Sequence, residues 1–438
     1  MFLALAGAYP KNPVSVFGHV FLVIAPQNSE SPFLNWTAIN FGAHTENATG
    51  LSLYAKGLAG GFNAYYDTLP VHEKIREYAG SESRDIRFFP LKISEKEYVK
   101  LMENLSNWKG KPYPYKFFTY NCTDGIYYLL FNSLDSLPPP TQKIMAPQDL
   151  VLILQKENRL EYPYLLPSLR ERVLNVTDKE QLKLEFMEWK NSQKNAKKDT
   201  LREKEMAELR YIASKKHGEK RNLFKLEKSF IKPHGYSRFD IGMQEIKGKS
   251  NAFIRFRPLL HDPSDNSDYY SAYSTLELLA LGLNMNSEGI NLRELDLMHI
   301  RSAPIYDSLF RSLSWDFFIG YKDNYSQLNT GFGVSSYINE KRKIALEFLL
   351  QNSVKCKDDF SCADFIGFET QLNKRLAGNF RYGIQFEYLH NVMDFENKHI
   401  QFKIWLSYDV NRNFNLYTEN IFGIKKQEIL GLYVRLYI

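Results

Sequence analysis

Phe380-Arg-Tyr-Gly-Ile-Gln-Phe-Glu-Tyr388 alternates an aromatic or aliphatic side chain with a charged, amide or glycine residue at every step. A period of two puts successive side chains on opposite faces of an extended chain, so this stretch reads as a β-strand with one apolar and one wet face. The pattern recurs on both sides of it. Phe239, Ile241 and Met243 alternate with polar residues and glycine, as do Leu313, Trp315, Phe317, Ile319 and Tyr321, and Leu328, Thr330, Phe332 and Val334. Phe402, Ile404, Leu406 and Tyr408 continue it, and Leu430, Leu432, Val434, Leu436 and Ile438 carry it to the last residue. A soluble sandwich also alternates, and it stands as the alternative. Three features favour a membrane-spanning barrel: the alternation runs from about residue 236 onward, the runs approach the 9–11 residues that a tilted strand needs to cross a bilayer, and aromatics gather at run ends. The other face carries Asp, Glu, Arg, Gln and Gly, which suits a wet lumen. We count roughly twelve segments, an even number that lets an antiparallel barrel close without leaving an edge. The expectation is an antiparallel transmembrane β-barrel over residues 233–438.

The rest of the composition is compatible with this. At 438 residues, with 44% apolar and 24% charged, the chain is too long for one ordinary domain and too apolar for disorder. A net charge of +6 over this length gives no case for nucleic acid. No apolar run approaches the ~18 residues of a membrane helix, which says nothing against strands. The strands resemble bacterial outer-membrane barrels, whose last strand commonly ends in an aromatic; Ile438 departs from that. If the N-terminal part is periplasmic, odd-to-even hairpins face outward. Lys355-Cys-Lys-Asp-Asp-Phe-Ser-Cys362 then falls in an extracellular loop between the seventh and eighth strands. Cys356 and Cys362 could close a small disulfide there, stable only in an oxidising compartment, or be two unrelated thiols.

Residues 1–168 read as mixed α and β. Met1-Phe-Leu-Ala-Leu-Ala-Gly-Ala8 is either the tail of a secretion signal, without a basic leader and short for its apolar core, or a buried strand. Phe17–Ile24, Trp36–Phe41 and Arg84–Leu91 read as strands. Ser94-Glu-Lys-Glu97 is a capping box opening a helix whose apolar residues run from Tyr98 to Trp108. A second helix begins at Cys122, and Pro138-Pro-Pro140 closes the region. Residues 169–232 are dominated by Lys, Glu, Gln and Arg and read as an exposed helical connector, with lipid contact by a basic helix as the alternative.

Cys122 stands where a polar loop turns into an apolar helical run. Unpaired N–H groups at a helix start favour thiolate, so this position suits a nucleophile. His19 lies in an apolar strand, where an unpaired imidazole is costly; a Cys–His pair relieves that cost and supplies a base and later an acid. The competing readings are an inert core thiol and a satisfied core histidine.

Phe17-Gly-His-Val-Phe-Leu22, Ile39-Asn-Phe-Gly-Ala-His44 and Tyr120-Asn-Cys-Thr-Asp124 resemble the Lnb N-terminal periplasmic domain family over roughly residues 1–165. More broadly they are similar to circularly permuted papain-like folds such as lecithin-retinol acyltransferase and permuted NlpC-type peptidases, in which the histidine strand precedes the cysteine helix. The family is associated with lipoprotein N-acyltransferase activity in some bacteria. The resemblance implies Cys122 as nucleophile and His19 as base. The third, orienting group is either His44, which is favoured, or Asn40. Asn40, Asn121 and Asp124 are candidate substrate contacts, although Asp124 could serve only the helix dipole, and backbone N–H groups at the Cys122 helix start could form an oxyanion hole. Gly57-Leu-Ala-Gly-Gly-Phe-Asn-Ala-Tyr-Tyr66 lacks the lysine of a phosphate loop and reads as a flap or an ordinary loop. No residue spacing suggests a metal or other cofactor.

The expectation is thus a cysteine-dependent acyltransferase or hydrolase in the outer membrane of a Gram-negative bacterium, with its N-terminal domain in the periplasm and lipid or lipoprotein as its partner. A cell-wall peptidase or amidase is the enzymatic alternative. A non-enzymatic pore or binding platform is the other.

Overall fold

The computed structural model of the chain describes residues 1–9, 17–25, 36–44, 56, 60–116, 119–140, 145–169, 224–226, 234–246, 248–266, 273–306, 312–322, 324–339, 344–375, 379–394, 397–423 and 427–438. They divide into two compact units, one N-terminal to about residue 231 and one C-terminal to it. Apart from the short strand Phe224–Lys225 and Leu226, the expected helical connector at 169–232 lies almost wholly outside the described residues.

The N-terminal unit is built on an antiparallel sheet. Its strands are β1 (Phe2–Ala6), β2 (His19–Ile24), β3 (Thr37–His44), β4 (Phe62–Pro70), β5 (Ile86–Pro90), β6 (Tyr113–Tyr115), β7 (Tyr164–Leu166) and β8 (Phe224–Lys225). The order across the sheet is β6-β4-β3-β2-β1-β5-β7-β8. β1 is central, and Leu3, Ala4, Leu5 and Ala6 have no solvent contact. Covered on both faces, this strand shows a continuous apolar run rather than alternation, which is why it could be mistaken for a signal core. On one face Ala4, Ala6, Phe21, Val23 and Ala38 pack with Val71 and Ile75 of α1 (Val71–Ile75) and with Tyr78 of the π-helical turn Arg76–Ser81.

Among the described residues this unit also has three longer helices: α2 (Glu95–Trp108), α3 (Cys122–Phe131) and α4 (Pro147–Lys156). The capping box of α2 is present: Glu97 N–H donates to Ser94 Oγ at 3.3 Å and Ser94 N–H to Glu97 Oε2 at 2.8 Å. Helix α3 packs on β2 and β3. Its approach to β3 depends on Gly125, where a Cβ would lie 2.3 Å from the Phe41 ring. Tyr66 Oη also donates to the Gly125 carbonyl at 2.7 Å, tying β4 to the same turn. The glycine-rich segment read as a flap or an ordinary loop is instead a strand from Phe62 onward. Its exposed and buried residues alternate, a pattern obscured in the sequence by the glycines before it.

The C-terminal unit is a closed antiparallel barrel of twelve long strands. They are β9 (Arg238–Ile246), β10 (Lys249–Arg257), β12 (Thr275–Asn286), β13 (Gly289–Ser302), β14 (Ser314–Lys322), β15 (Tyr325–Asn339) and β16 (Ile344–Cys356), followed by β17 (Cys362–Arg375), β18 (Phe380–Asn391), β19 (Lys398–Asp409), β20 (Phe414–Phe422) and β21 (Gln427–Tyr437). Each pairs with its sequence neighbour, β10 pairs with β12, and β21 returns to β9, so the ring closes. A short extra strand, β11 (Leu259–His261), lies along the start of β12.

The alternation read from the sequence fixes which face is which. Met243, Ile290, Phe332, Leu350 and Leu432 are each more than half exposed. Arg238, Asp240, Glu277, Asp296, Arg301, Glu369 and Arg435, on the opposite faces, are buried. Charge inside and apolar side chains outside is the inverse of a water-soluble barrel, and only a bilayer makes it favourable. Among the described residues no helix is long and apolar enough to cross a membrane. Cys356 and Cys362 form a disulfide across the turn from β16 to β17, the seventh and eighth long strands.

Candidate active site

His19 opens β2, and the residue before it has to be glycine. Gly18 takes φ +88°, and a Cβ there would lie 2.5 Å from the Ala6 carbonyl oxygen. That left-handed residue turns the chain into the strand and sets the position of the imidazole. On the neighbouring strand, Asn40 Oδ1 lies 2.8 Å from His19 Nε2. An amide oxygen only accepts, so Nε2 carries the proton and Nδ1 is the basic ring nitrogen. The His19 ring packs 5.5 Å from that of Tyr78. Burial, reinforced by the positive charge of Lys74 and opposed by the Asn40 hydrogen bond, draws its pKa down to about 3. At neutral pH His19 is a neutral imidazole, the form a general base requires.

Cys122 is the first residue of α3 and is buried. The helix start is locked by a reciprocal cap. Asn121 Oδ1 accepts from Thr123 N–H at 2.7 Å and Asp124 N–H at 3.4 Å, and Asn121 N–H donates to Asp124 Oδ2 at 2.9 Å. Asn121 Nδ2 also donates to the Met145 carbonyl at 2.9 Å. The thiol sits 4.0 Å from Thr123 Oγ1 and takes a hydrogen bond from the Val20 N–H, which brings it beside the residue that follows His19. Burial nonetheless pushes the thiol pKa up, outweighing the Val20 and Thr123 donors. The helix-start argument for a resting thiolate therefore loses to desolvation, and Cys122 rests as a thiol. Burial likewise raises Asp124 to about 6, against the pull of its backbone hydrogen bonds.

The structure pairs His19 with Asn40, places the Cys122 thiol against the backbone of Val20, the residue after His19, and sets His44 apart from the His19–Asn40 pair. His44 lies at the far end of β3, where its Nε2 pairs with Asp67 Oδ2 at 3.3 Å and its ring packs 4.7 Å from that of Tyr65. Four residues along a strand span about 13 Å, too far for His44 to orient His19. Asn121 and Asp124, expected as substrate contacts, are instead engaged in holding the helix cap. Tyr78 was missed by sequence reasoning. Its ring lies 5.1 Å from Lys74 Nζ and 5.0 Å from the Arg84 guanidinium carbon, on a π-helical turn that no pattern in the sequence marks.

Residues 2–154 match the family model of the Lnb N-terminal periplasmic domain. The N-terminal region is an Lnb N-terminal periplasmic domain. Residues 232–428 match a second family, a domain of unknown function, DUF7840. No curated protein matches the chain in sequence at a significant level. Among solved structures, the KdgM porin is similar at 10% identity over 46% of this chain and 99% of its own, with a TM-score of 0.31. Omp33 of Acinetobacter baumannii is similar at 7% identity over 47% of this chain and 98% of its own, with a TM-score of 0.29. An outer-membrane channel from Pseudomonas putida F1 gives 11%, 47%, 96% and 0.30 for the same four measures. A closed barrel with an apolar exterior, joined to a domain of the Lnb periplasmic family, makes this an outer-membrane protein of a Gram-negative cell with its Lnb domain in the periplasm.

Among the described residues, one set could hold a metal although no spacing in the sequence suggests it: His234, His261 and Asp265, outside the Lnb domain. His234 Nε2 and His261 Nδ1 hydrogen-bond each other at 3.0 Å. Asp265 accepts from Arg238, from Tyr437 Oη at 2.6 Å and from the Asp262 N–H at 3.0 Å. These ligand atoms are already engaged, and the neighbouring guanidinium opposes a cation, so the donor set fits a hydrogen-bonded core better than a metal centre.

Proposed function

We propose that the Lnb domain is a thiol-dependent acyltransferase or hydrolase that works at the inner surface of the outer membrane through a thioester on Cys122. The observation that carries this reading is the His19–Asn40 hydrogen bond at 2.8 Å on strands packed against the helix that begins at Cys122. It is an imidazole held by a polar partner, on a strand whose next residue, Val20, donates its N–H to the Cys122 thiol.

In this reading His19 Nδ1 takes the thiol proton as Cys122 Sγ attacks an ester or amide carbonyl. The tetrahedral intermediate collapses, the carbon–oxygen or carbon–nitrogen bond breaks, and the imidazolium gives its proton to the leaving group. An amine or water then attacks the thioester, losing its proton to His19, and the thiol is regenerated. Asn40, rather than His44, is the orienting group. The barrel holds the domain at a bilayer, which favours a lipid or a lipoprotein as the source or recipient of the acyl group.

The test is the intact mass of the full chain after incubation with bacterial phospholipid vesicles, beside Cys122→Ser. An acyl adduct that hydroxylamine removes, on the wild type only, is the expected result. No adduct on either protein, with Cys122 readily alkylated, would move the substrate class to cell-wall peptides. A thiol that stays inert until the protein is denatured would overturn the catalytic reading.

A further inference from the structure

The buried arginines of the barrel, Arg238, Arg257, Arg301, Arg381 and Arg435, gather at one end, while Glu294 and the Lys403–Glu419 pair lie further along the lumen. The Lnb domain precedes β9, so the starts of odd-numbered and the ends of even-numbered long strands, counted in order round the barrel, lie at the periplasmic side. Arg238 and Asp240 begin the first long strand and Arg255 and Arg257 end the second. Glu277 begins the third and Arg301 ends the fourth. Asp316, Glu347 and Arg381 begin the fifth, seventh and ninth, and Asp409 and Arg435 lie at the ends of the tenth and twelfth.

Two sets of contacts cross the barrel at this level. Arg301 pairs with Asp316 on the next strand at 2.9 Å, and reaches Glu347 at 3.5 Å and Glu369 at 2.6 Å on the seventh and eighth strands. Its Nη1 also donates to Gln371 at 2.7 Å. The second set is made by the segment that follows β10. After β11 the chain passes through Asp262, Ser264 and Asp265, all largely buried. The Ser264 carbonyl accepts from Arg381 Nε at 3.0 Å and from Ser407 Oγ at 2.7 Å, and its hydroxyl accepts from Arg435 at 2.7 Å. Asp265 binds Arg238 and Tyr437, and Asp262 binds Arg257 at 2.9 Å. One short segment therefore touches the first, second, ninth, tenth and twelfth strands. Above it Phe253, Trp405, Tyr417 and Tyr433 form an aromatic cluster from the second, tenth, eleventh and twelfth strands.

We propose that the barrel is sealed at its periplasmic end by this plate of ion pairs and by the inward-folded segment 259–266, so that it anchors the chain without conducting solutes. The chemistry favours a standing seal. Every arginine in the plate faces more than one carboxylate or carbonyl, and withdrawing any of them would leave buried charge uncompensated. The segment binds through its own carbonyl and carboxylates to arginines and a serine on the wall, as an internal ligand would. Nothing in this inference depends on the chemistry at Cys122.

The test is ion flux through the full chain reconstituted into planar bilayers in concentrated KCl, with folding checked by heat-modifiable migration. The wild type is expected to give no stepwise conductance above that of the empty bilayer. Reproducible open-channel steps from the wild type would overturn the proposal, whatever the variants do. Asp262→Asn with Ser264→Ala and Asp265→Asn loosens the segment, and Arg301→Gln with Glu347→Gln and Glu369→Gln thins the other crossing. The combined variant, folded, is expected to raise flux by at least about tenfold, because a lumen of this strand number then opens. A folded variant as silent as the wild type would show that the plate is not the seal. If the variant does not fold, sugar-driven swelling of wild-type proteoliposomes decides: no swelling supports the seal and swelling refutes it.

Discussion

Leu5 in the Lnb domain has no solvent contact, whereas Leu432 in the barrel leaves 65% of its surface uncovered. Arg435, three residues further along the same strand, is 3% exposed. Both regions are antiparallel sheets, yet one hides its leucines from water and the other turns them outward and hides its arginines. The difference lies in the solvent. In water the apolar surface is driven inward; in a bilayer it costs nothing outside, and the polar groups must find each other inside. Exposure therefore has no fixed meaning along this chain.

The largest test of that contrast is Leu5→Ala, expected to lower the stability of the Lnb domain by about 2–5 kcal/mol, because β1 is packed on both faces and cannot collapse round a void. Its thermal melt, read by loss of tertiary signal, checks this. Next is a matched pair of arginines. Leu432→Arg is expected to cost about 2–4 kcal/mol near the bilayer midplane, read by urea titration of heat-modifiable migration. Val99 is 50% exposed on α2, and Val99→Arg is expected to change stability by less than about 0.5 kcal/mol. Equal costs at the two sites would break the comparison.

A third test uses pH. The pKa of His19 falls from its unfolded value to about 3 on folding, chiefly through burial. The folded state thus prefers the neutral ring, and this penalises folding as pH drops below about 6.5 and down towards 3. At pH 5 the loss amounts to about 2 kcal/mol at most, since residual solvent around the ring reduces it. His19→Gln, which keeps a donor for Asn40, is expected to flatten the acid limb of the stability curve; an unchanged limb would assign it to other groups. The smallest effect is Ser94→Ala at the α2 cap, about 1 kcal/mol by the same melt.

How far the fold could be read ahead follows the same divide. The barrel strands were legible because each long strand shows water or lumen to one face and lipid to the other, so Phe380, Tyr382 and Ile384 alternate without interruption. Helix α2 was legible from its cap, since Ser94 acts locally, and α3 from the apolar run that begins at Cys122; the Asn121 cap was not read. Strand β4 was not, because its start is hidden among glycines, and the pairing of His19 with Asn40 was legible only as the alternative to His44, because the choice depends on contacts between neighbouring strands. The favoured His44 differs from Asn40 by four positions on one strand, the same face but not the same place. The low pKa of His19 and the raised pKa of Cys122 come from surroundings assembled across the whole sheet, and no local motif encodes them. Segment 259–266 gave no periodic signal at all.

In the orientation proposed above, the hairpins that join odd to even long strands face outward, and they are short: two residues separate β9 from β10, β12 from β13 and β14 from β15, and the longest gap, between β18 and β19, is six. Outer-surface loops are what bacteriophages, antibodies and host receptors grip. This protein offers them little to hold, and a tag for detecting it on intact cells would have to be built into one of those tight turns, with the cystine-bridged one between β16 and β17 already braced to carry an insertion at Phe360, 90% exposed.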